Sequence, residues 1–165
     1  MTDWTIRTSH AEDLAALLEM IPQLADFPLP QTRDPRDLWQ GDARLLQRHF
    51  NGETDHTRVL VADSETDGII GFALTSLGEE VLSHDPSAHL EALVVSDKAR
   101  GKGVGRALLL ATEQLATTSG AQTLTLTAFN SNTRARGLYE SVGFDGELIR
   151  YIKPLTKTTD SNEGQ

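Results

Sequence analysis

The stretch from Ala88 to Ser119 constrains this chain most, because its residue types dictate a strand, a turn and a helix in immediate succession. Ala88 to Val95 is apolar apart from His89 and Glu91, and its Val94-Val95 end suits a strand covered on both faces. Arg100-Gly101-Lys102-Gly103-Val104-Gly105-Arg106 follows, and its glycines let backbone N–H groups approach a ligand that a side chain would hold off. From about Gly103 the apolar residues Val104, Leu108, Ala111 and Leu115 fall on one helical face, which predicts a helix packed on the sheet with its amino end at the turn. That end carries free N–H donors and partial positive charge, and Lys98, Arg100, Lys102 and Arg106 add formal charge around it. The construction calls for a phosphate group.

Two common phosphate-binding patterns are excluded by spacing. A P-loop needs Lys followed by Ser or Thr after its last glycine, whereas Gly105 is followed by Arg106-Ala107. Gly101, Gly103 and Gly105 do not give the Gly-x-Gly-x-x-Gly spacing of a dinucleotide fold. The run Arg100 to Gly105 instead resembles the Arg/Gln-x-x-Gly-x-Gly/Ala turn of the GNAT superfamily of acyl-CoA-dependent N-acetyltransferases. Further along, Asn132, Ala135, Leu138, Tyr139, Glu140, Gly143 and Phe144 resemble a second pattern of that family, Asn-x-x-Ala-x-x-Leu-Tyr-Glu-x-x-Gly-Phe. The resemblance implies an α/β fold, with a mixed, mostly antiparallel central sheet flanked by helices. It also implies acetyl-CoA as cosubstrate, lying between the strand that ends at Val95 and the one that follows Gly120. Arg100, Gly101, Lys102, Gly103, Val104, Gly105 and Arg106 would take its pyrophosphate. Asn132 would contact the pantetheine side, and a backbone N–H near Leu93, Val94 or Val95 would face the acyl oxygen if the strand bulges there.

The chemistry implied sets its own requirements. A primary amine with a pKa of about 10.4 is neutral in roughly one molecule per few thousand at pH 7, a deficit of about 4.6 kcal/mol against the attacking form. Strand alternation predicts His89 and Glu91 on one face, which makes both candidates for the base; the family draws its base from this strand, and Glu91 is the first choice. Each has an ordinary alternative, His89 bonding near the strand's start and Glu91 pairing with an arginine. Tyr139 occupies the family position for the acid that protonates the departing thiolate, because a phenol is still protonated at pH 7. Its ordinary alternative is core packing with the hydroxyl on a backbone acceptor. A non-catalytic acyl-CoA-binding regulatory domain would keep the turn and dispense with acid and base, and a nucleotide-binding module would use the same turn for ATP or NAD.

Length and composition fit one such domain over residues 1–155. A chain of 165 residues buries one core and has little room for a second. With no cysteine, an acyl-cysteine route is excluded. The formal net charge of -9 argues against a nucleic-acid partner; it suits cationic or amine substrates, and it equally serves solubility alone. The resemblance implies an amine, small or peptidic, as acceptor. The five histidines lack ligand spacing, so no metal is implied. No apolar run is long enough for a membrane helix and no signal-peptide pattern opens the chain, so the expected location is cytoplasmic. The resemblance also admits a homodimer.

The remaining elements are read from patterning. Trp4 to Arg7 is expected as a strand. A helix capped by Ser9 with Glu12 should carry the stripe Leu14, Leu17, Leu18 and Ile21 and end at Pro22. Asp34-Pro35 should open a second helix through Phe50, with Trp39, Leu46 and Phe50 inward. Thr57 to Ala62, Ile69 to Thr75 and Ala121 to Thr127 read as strands, and Ser76 to Ser87 as a solvated loop. Asn132 should cap a helix whose inner face is Ala135, Leu138, Tyr139 and Val142, closed by Gly143. Glu147 to Leu155 is expected as a final strand, and 156–165 as a disordered polar tail.

Overall fold

Two neighbouring strands show why the sheet must be covered on both sides. In β2 (Thr57–Ser64), Val59 and Val61 point one way and Leu60 and Ala62 the other, and all four are buried. β3 (Gly68–Glu79) runs antiparallel to β2, adding Phe72 and Leu74 to the first face and Ala73 to the second. The structure, a computed structural model, describes residues 3–155. With β1 (Trp4–Thr8), β4 (Pro86–Val95) and β5 (Thr123–Leu126) the sheet has five strands in chain order. The first four are antiparallel neighbours, and β5 lies parallel to β4. The mixed, mostly antiparallel sheet flanked by helices is therefore present.

One face is covered by α1 (Leu14–Met20) and α2 (Gln40–Phe50), whose Leu17, Met20 and Leu46 join Ile21, just past α1, and Val59, Val61, Phe72 and Val94 in one cluster. The other is covered by α3 (Val104–Thr118), where Val104, Leu108 and Leu109 pack on Leu60, Ala73 and Leu90. α4 (Thr133–Ser141) presents Leu138 and Tyr139 to the edge of that second cluster.

The site depends on how closely α3 approaches β3. A Cβ on Gly71 would lie 2.9 Å from the Val94 carbonyl oxygen, 3.2 Å from Leu108 Cδ1 and 3.3 Å from Val104 Cγ1. Because the nearest of these is backbone, the neighbour cannot swing away. Gly71→Ala is expected to lower unfolding free energy by about 1–3 kcal/mol. Denaturant titration checks this, and a change within error would mean the helix retreats freely.

Several sequence expectations are corrected. The first helix is capped one residue later: the Asp13 carboxylate accepts from the His10 N–H at 2.7 Å, while the Ser9 hydroxyl is buried without a partner. Asp13 is preferred because Arg7 also binds it, at 2.8 and 3.1 Å, and so ties the helix entry to β1. That guanidinium holds the Asp13 carboxyl below the usual range. Pro22 ends α1 only by tightening it into a 3-10 segment, Ile21–Ala25. The helix expected from Asp34-Pro35 is broken at Trp39 (φ -137°), giving a 3-10 turn Pro35–Leu38 before α2. Ser76 to Ser87 is not a loop: β3 and β4 pair through Leu77–Ala88, Gly78–Ser87 and Glu79–Pro86, and Glu80 closes the tip by accepting from the Leu82 and Ser83 N–H groups. Glu147 to Leu155 forms no strand and every residue in it is exposed. The expected tail at 156–165 lies outside the described residues.

Candidate active site

A bulge in β4 creates the site. Leu74 pairs with Ala92 but Thr75 pairs with Leu90, so Glu91 is an extra residue on its strand. The extra residue switches the faces of the strand: Leu90 belongs to the cluster under α3, whereas Ala92 and Val94 belong to the cluster under α1 and α2. Simple alternation, which put His89 and Glu91 on one face, therefore fails between them. The bulge also lies a few residues before the Leu93 to Val95 stretch where it was expected.

β5 accompanies β4 only from Ser87 to Leu90. Beyond Leu90 the chain from Leu126 to Phe129 diverges while β4 runs on to Val95, and a cleft of about 410 Å³ opens between them. That volume suits a small organic ligand. One edge of β4, from Glu91 onward, is left without a strand partner, so its main-chain polar groups face the cleft. The mouth is braced where Phe27 and Phe129 meet at 5.5 Å and Ser131 donates to the Pro28 carbonyl at 2.8 Å.

The glycine turn forms one end of the cleft. Gly101 (φ +74°) and Gly103 (φ +80°) sit in the left-handed region, where a side chain would strain the backbone. Gly103 caps α3 without a side chain, and the first helical bond is from Ala107 N–H to the Gly103 carbonyl at 3.0 Å. The amides of 101–106 find no acceptor among the described residues. Gly105 serves packing: a Cβ there would lie 3.1 Å from Leu138 Cδ2 of α4. Arg100 lines the cleft but is held at 2.7 Å by both Asp26 and Asp97, which fixes the turn against the segment after α1. Arg106 and Arg134 line the cleft as well, while Lys102 is exposed and outside its lining. The turn thus offers main-chain donors first and side-chain charge second, the arrangement that suits an anion.

Glu91, Leu93, Val94, Val95, Asn132 and Tyr139 line the same cleft. Asn132 caps α4, accepting from the Ala135 N–H at 3.3 Å, and so sets that helix's start beside the ligand space. Tyr139 rests edge-on against Phe144 at 6.0 Å. Burial raises its pKa, so its hydroxyl stays protonated at neutral pH, and it makes no hydrogen bond among the described residues. Among the described residues Glu91 forms no ion pair, and Arg100 is engaged by Asp26 and Asp97. His89 is outside the cleft lining; its Nδ1 lies 2.8 Å from Thr125 Oγ1, across the β4–β5 seam. Among the described residues no group of three His, Cys, Asp or Glu side chains comes together as a metal site.

The sequence offered no sign of Asp42. In the first turn of α2 it resembles an acidic residue placed for the helix dipole, yet it faces the cleft. Desolvation, with the charge of Glu91 second, pushes its pKa up to about 7. The sign for stability follows. Between the unfolded value of 3.8 and about 7, the folded chain binds more protons, so this group makes the protein less stable as pH rises, with the full cost present above about 7. Asp42→Asn is expected to raise unfolding free energy at pH 8 by roughly 2 kcal/mol, less than the whole shift implies because the side chain is only partly buried, and to change little at pH 4. Thermal melts at both pH values check this, and an equal effect at both would refute it.

The comparisons with known proteins agree with this geometry. The profile described as the acetyltransferase (GNAT) family matches residues 18–144. An uncharacterised N-acetyltransferase of Bacillus subtilis (strain 168), YhfO, is 32% identical over 140 residues, covering 85% of this chain and 89% of that protein. The mycothiol acetyltransferase of Renibacterium salmoninarum is 33% identical over 90 residues, which is 54% of this chain and 27% of that protein. Among solved structures, AAC(6')-Iy in complex with the bisubstrate analogue CoA-S-monomethyl-acetylneamine has the same fold, with a TM-score of 0.69 at 24% identity over 93% of this chain and 100% of that one. No helix among the described residues is long and apolar enough to cross a membrane. With the family profile covering most of its length on the sheet, turn and cleft just described, the chain belongs to the GNAT family of acetyltransferases.

Proposed function

We propose that the chain transfers an acetyl group from acetyl-CoA to a primary amine, both substrates being bound together. The observation that carries this reading is the coincidence, in one cleft, of unbonded amides at 101–106 with an unbonded, protonated tyrosine hydroxyl. Those amides, with Arg106 and Arg134, would hold the pyrophosphate, and the free edge of β4 at Leu93, Val94 and Val95 would meet the pantetheine and acyl end. When bound, acetyl-CoA supplies the acetyl group as a thioester, activated toward an amine.

The chain's own groups divide the proton work. Glu91, projecting from the bulge, would take the proton that the incoming ammonium must lose. Tyr139 would give its proton to the departing sulfur and recover it from solvent. His89 would fix the β4–β5 seam through Thr125, with no direct part in the reaction. Asp42 and Glu91 make the acceptor end of the cleft acidic, opposite the basic turn, and this favours a cationic amine over a neutral one.

An amine panel with acetyl-CoA, scored by release of free thiol, tests the proposal together with calorimetry of acetyl-CoA alone. Turnover that depends on an added amine is expected, with cationic amines ahead. Acetyl-CoA binding without turnover on any amine would favour a regulatory domain, and a chain that ignores acetyl-CoA would end the reading altogether.

A further inference from the structure

The charged residues that line the cleft are Asp26, Asp42, Glu91, Arg100, Arg106 and Arg134. All but one are accounted for. Arg100 and Asp26 engage each other at 2.7 Å and fix the turn. Arg106 and Arg134 stand in the first turns of α3 and α4, beside the open amides, where the charge of a diphosphate would be met. Glu91 is the base of the proposed reaction. Asp42 is left over.

A structural duty does not explain it. An acid in the first turn of a helix commonly reaches back to the N-cap amide, but here the Trp39 N–H is donated to the Arg36 carbonyl at 3.2 Å. Among the described residues Asp42 forms no hydrogen bond and no ion pair, and desolvation with the like charge of Glu91 raises its pKa. Its neighbours Trp39, Ala43 and Leu45 pack against the apolar cluster under α1 and α2, which holds the carboxylate partly buried at the cleft wall. A carboxylate kept there without a partner costs the fold stability, and a cation brought by a ligand would offset that cost.

The reacting amine cannot be that cation. It must give its proton to Glu91 before it attacks, and once acetylated it is an uncharged amide. A charge that lasts through the reaction has to sit elsewhere on the acceptor. We propose that Asp42 is the specificity-determining residue of the acceptor end, pairing with a second, non-reacting ammonium of a diamine while Glu91 receives the proton of the first. The C–N bond forms and the C–S bond breaks at the first nitrogen alone, and the second keeps its protons throughout. An acceptor with a carboxylate beside its amine is disfavoured, because it would meet like charge at both Asp42 and Glu91. The role of Glu91 here rests on the acetyl-transfer reading; the pairing at Asp42 is a binding event and requires no turnover.

Straight-chain α,ω-diamines and monoamines of matching length, compared on the full chain, test it. Calorimetry with coenzyme A in place of acetyl-CoA reads binding without turnover, and thiol release with acetyl-CoA reads KM and kcat. The best diamine is expected to bind at least about tenfold more tightly than its monoamine, a gain between that of an exposed ion pair and a fully buried one. Asp42→Asn, which should fold at least as well as the native chain, should raise the diamine's Kd and KM at least about tenfold with kcat changed less than about threefold, and Asp42→Glu should restore part of the preference. Diamine preference in calorimetry with no turnover on any amine supports the pairing and ends the acetyl-transfer reading instead. Turnover with no diamine preference, or a preference that survives in Asp42→Asn, overturns the proposal and leaves that reading standing. An equal fall in kcat on diamine and monoamine would make Asp42 part of the proton transfer, which also overturns it, as does a chain that binds no diamine.

Discussion

Tyr139→Phe is expected to lower kcat on the best amine by about 10²- to 10³-fold, with calorimetric affinity for acetyl-CoA changed less than about twofold. The substitution removes one oxygen. The ring keeps its edge-on contact with Phe144 and its place beside Leu138, so packing and the turn are preserved. No hydrogen bond among the described residues is lost either, because the hydroxyl makes none there. What would disappear, on the proposed reading, is the donor for the departing sulfur, a loss felt in the transition state and not in cofactor binding. Glu91→Gln should give a loss of similar kind, confined to amines that arrive protonated. If Tyr139→Phe turns over at the native rate while Glu91→Gln does not, the acid is water or another group. If both are silent, the cleft binds and the chemistry proposed for it is wrong.

The largest stability effect is expected at Phe72. It is wholly buried in the middle of β3, opposite Val61 on one side and Val94 on the other, under Leu17 and Leu46. Phe72→Ala removes the ring from a place where sheet and helices are already fixed by other contacts, so the cavity cannot collapse, and the cost is about 3–5 kcal/mol. Domains of this size have about 5–15 kcal/mol in total, so much of the folded margin would be lost. Because Val94 lines the cleft, the variant should also bind acetyl-CoA less tightly. Urea unfolding of the purified variant gives the number, and a loss below about 1 kcal/mol would mean the face under α1 and α2 repacks.

Asp42→Asn and Gly71→Ala differ in what they teach. Asp42→Asn is expected to stabilise the protein at high pH while weakening a cationic acceptor, which is the pattern of a group retained for binding at some expense to folding. Gly71→Ala, by contrast, affects only how near α3 lies to the sheet.

Much of the cleft was legible locally. The turn from Arg100 to Arg106 is written in glycines that permit positive φ and in a helix whose apolar stripe begins at Val104, and each of these is a property of neighbours in the chain. Asn132 as a cap and Tyr139 on the inner face of α4 follow from the same short-range rules. Errors of a different kind arose where distant residues compete. Ser9 has the spacing to cap the first helix, but Asp13 does so because Arg7 holds it from β1. Glu147 to Leu155 has the composition of a strand, and composition does not say whether an edge is available to it.

Sequence by itself determined most of the strands and helices, the glycine turn and the family, because each depends on residue type and spacing within a few positions; the strand expected at Glu147 to Leu155 and the loop expected at Ser76 to Ser87 were not among them. Tertiary structure alone decided that Glu91 stands on a bulge, that β4 and β5 separate after Leu90, and that Asp42 lines the same cleft as Glu91. A bulge is a mismatch between two strands and a cleft is the place where two strands cease to pair. Both are relations between segments far apart in the chain, and no single segment carries them.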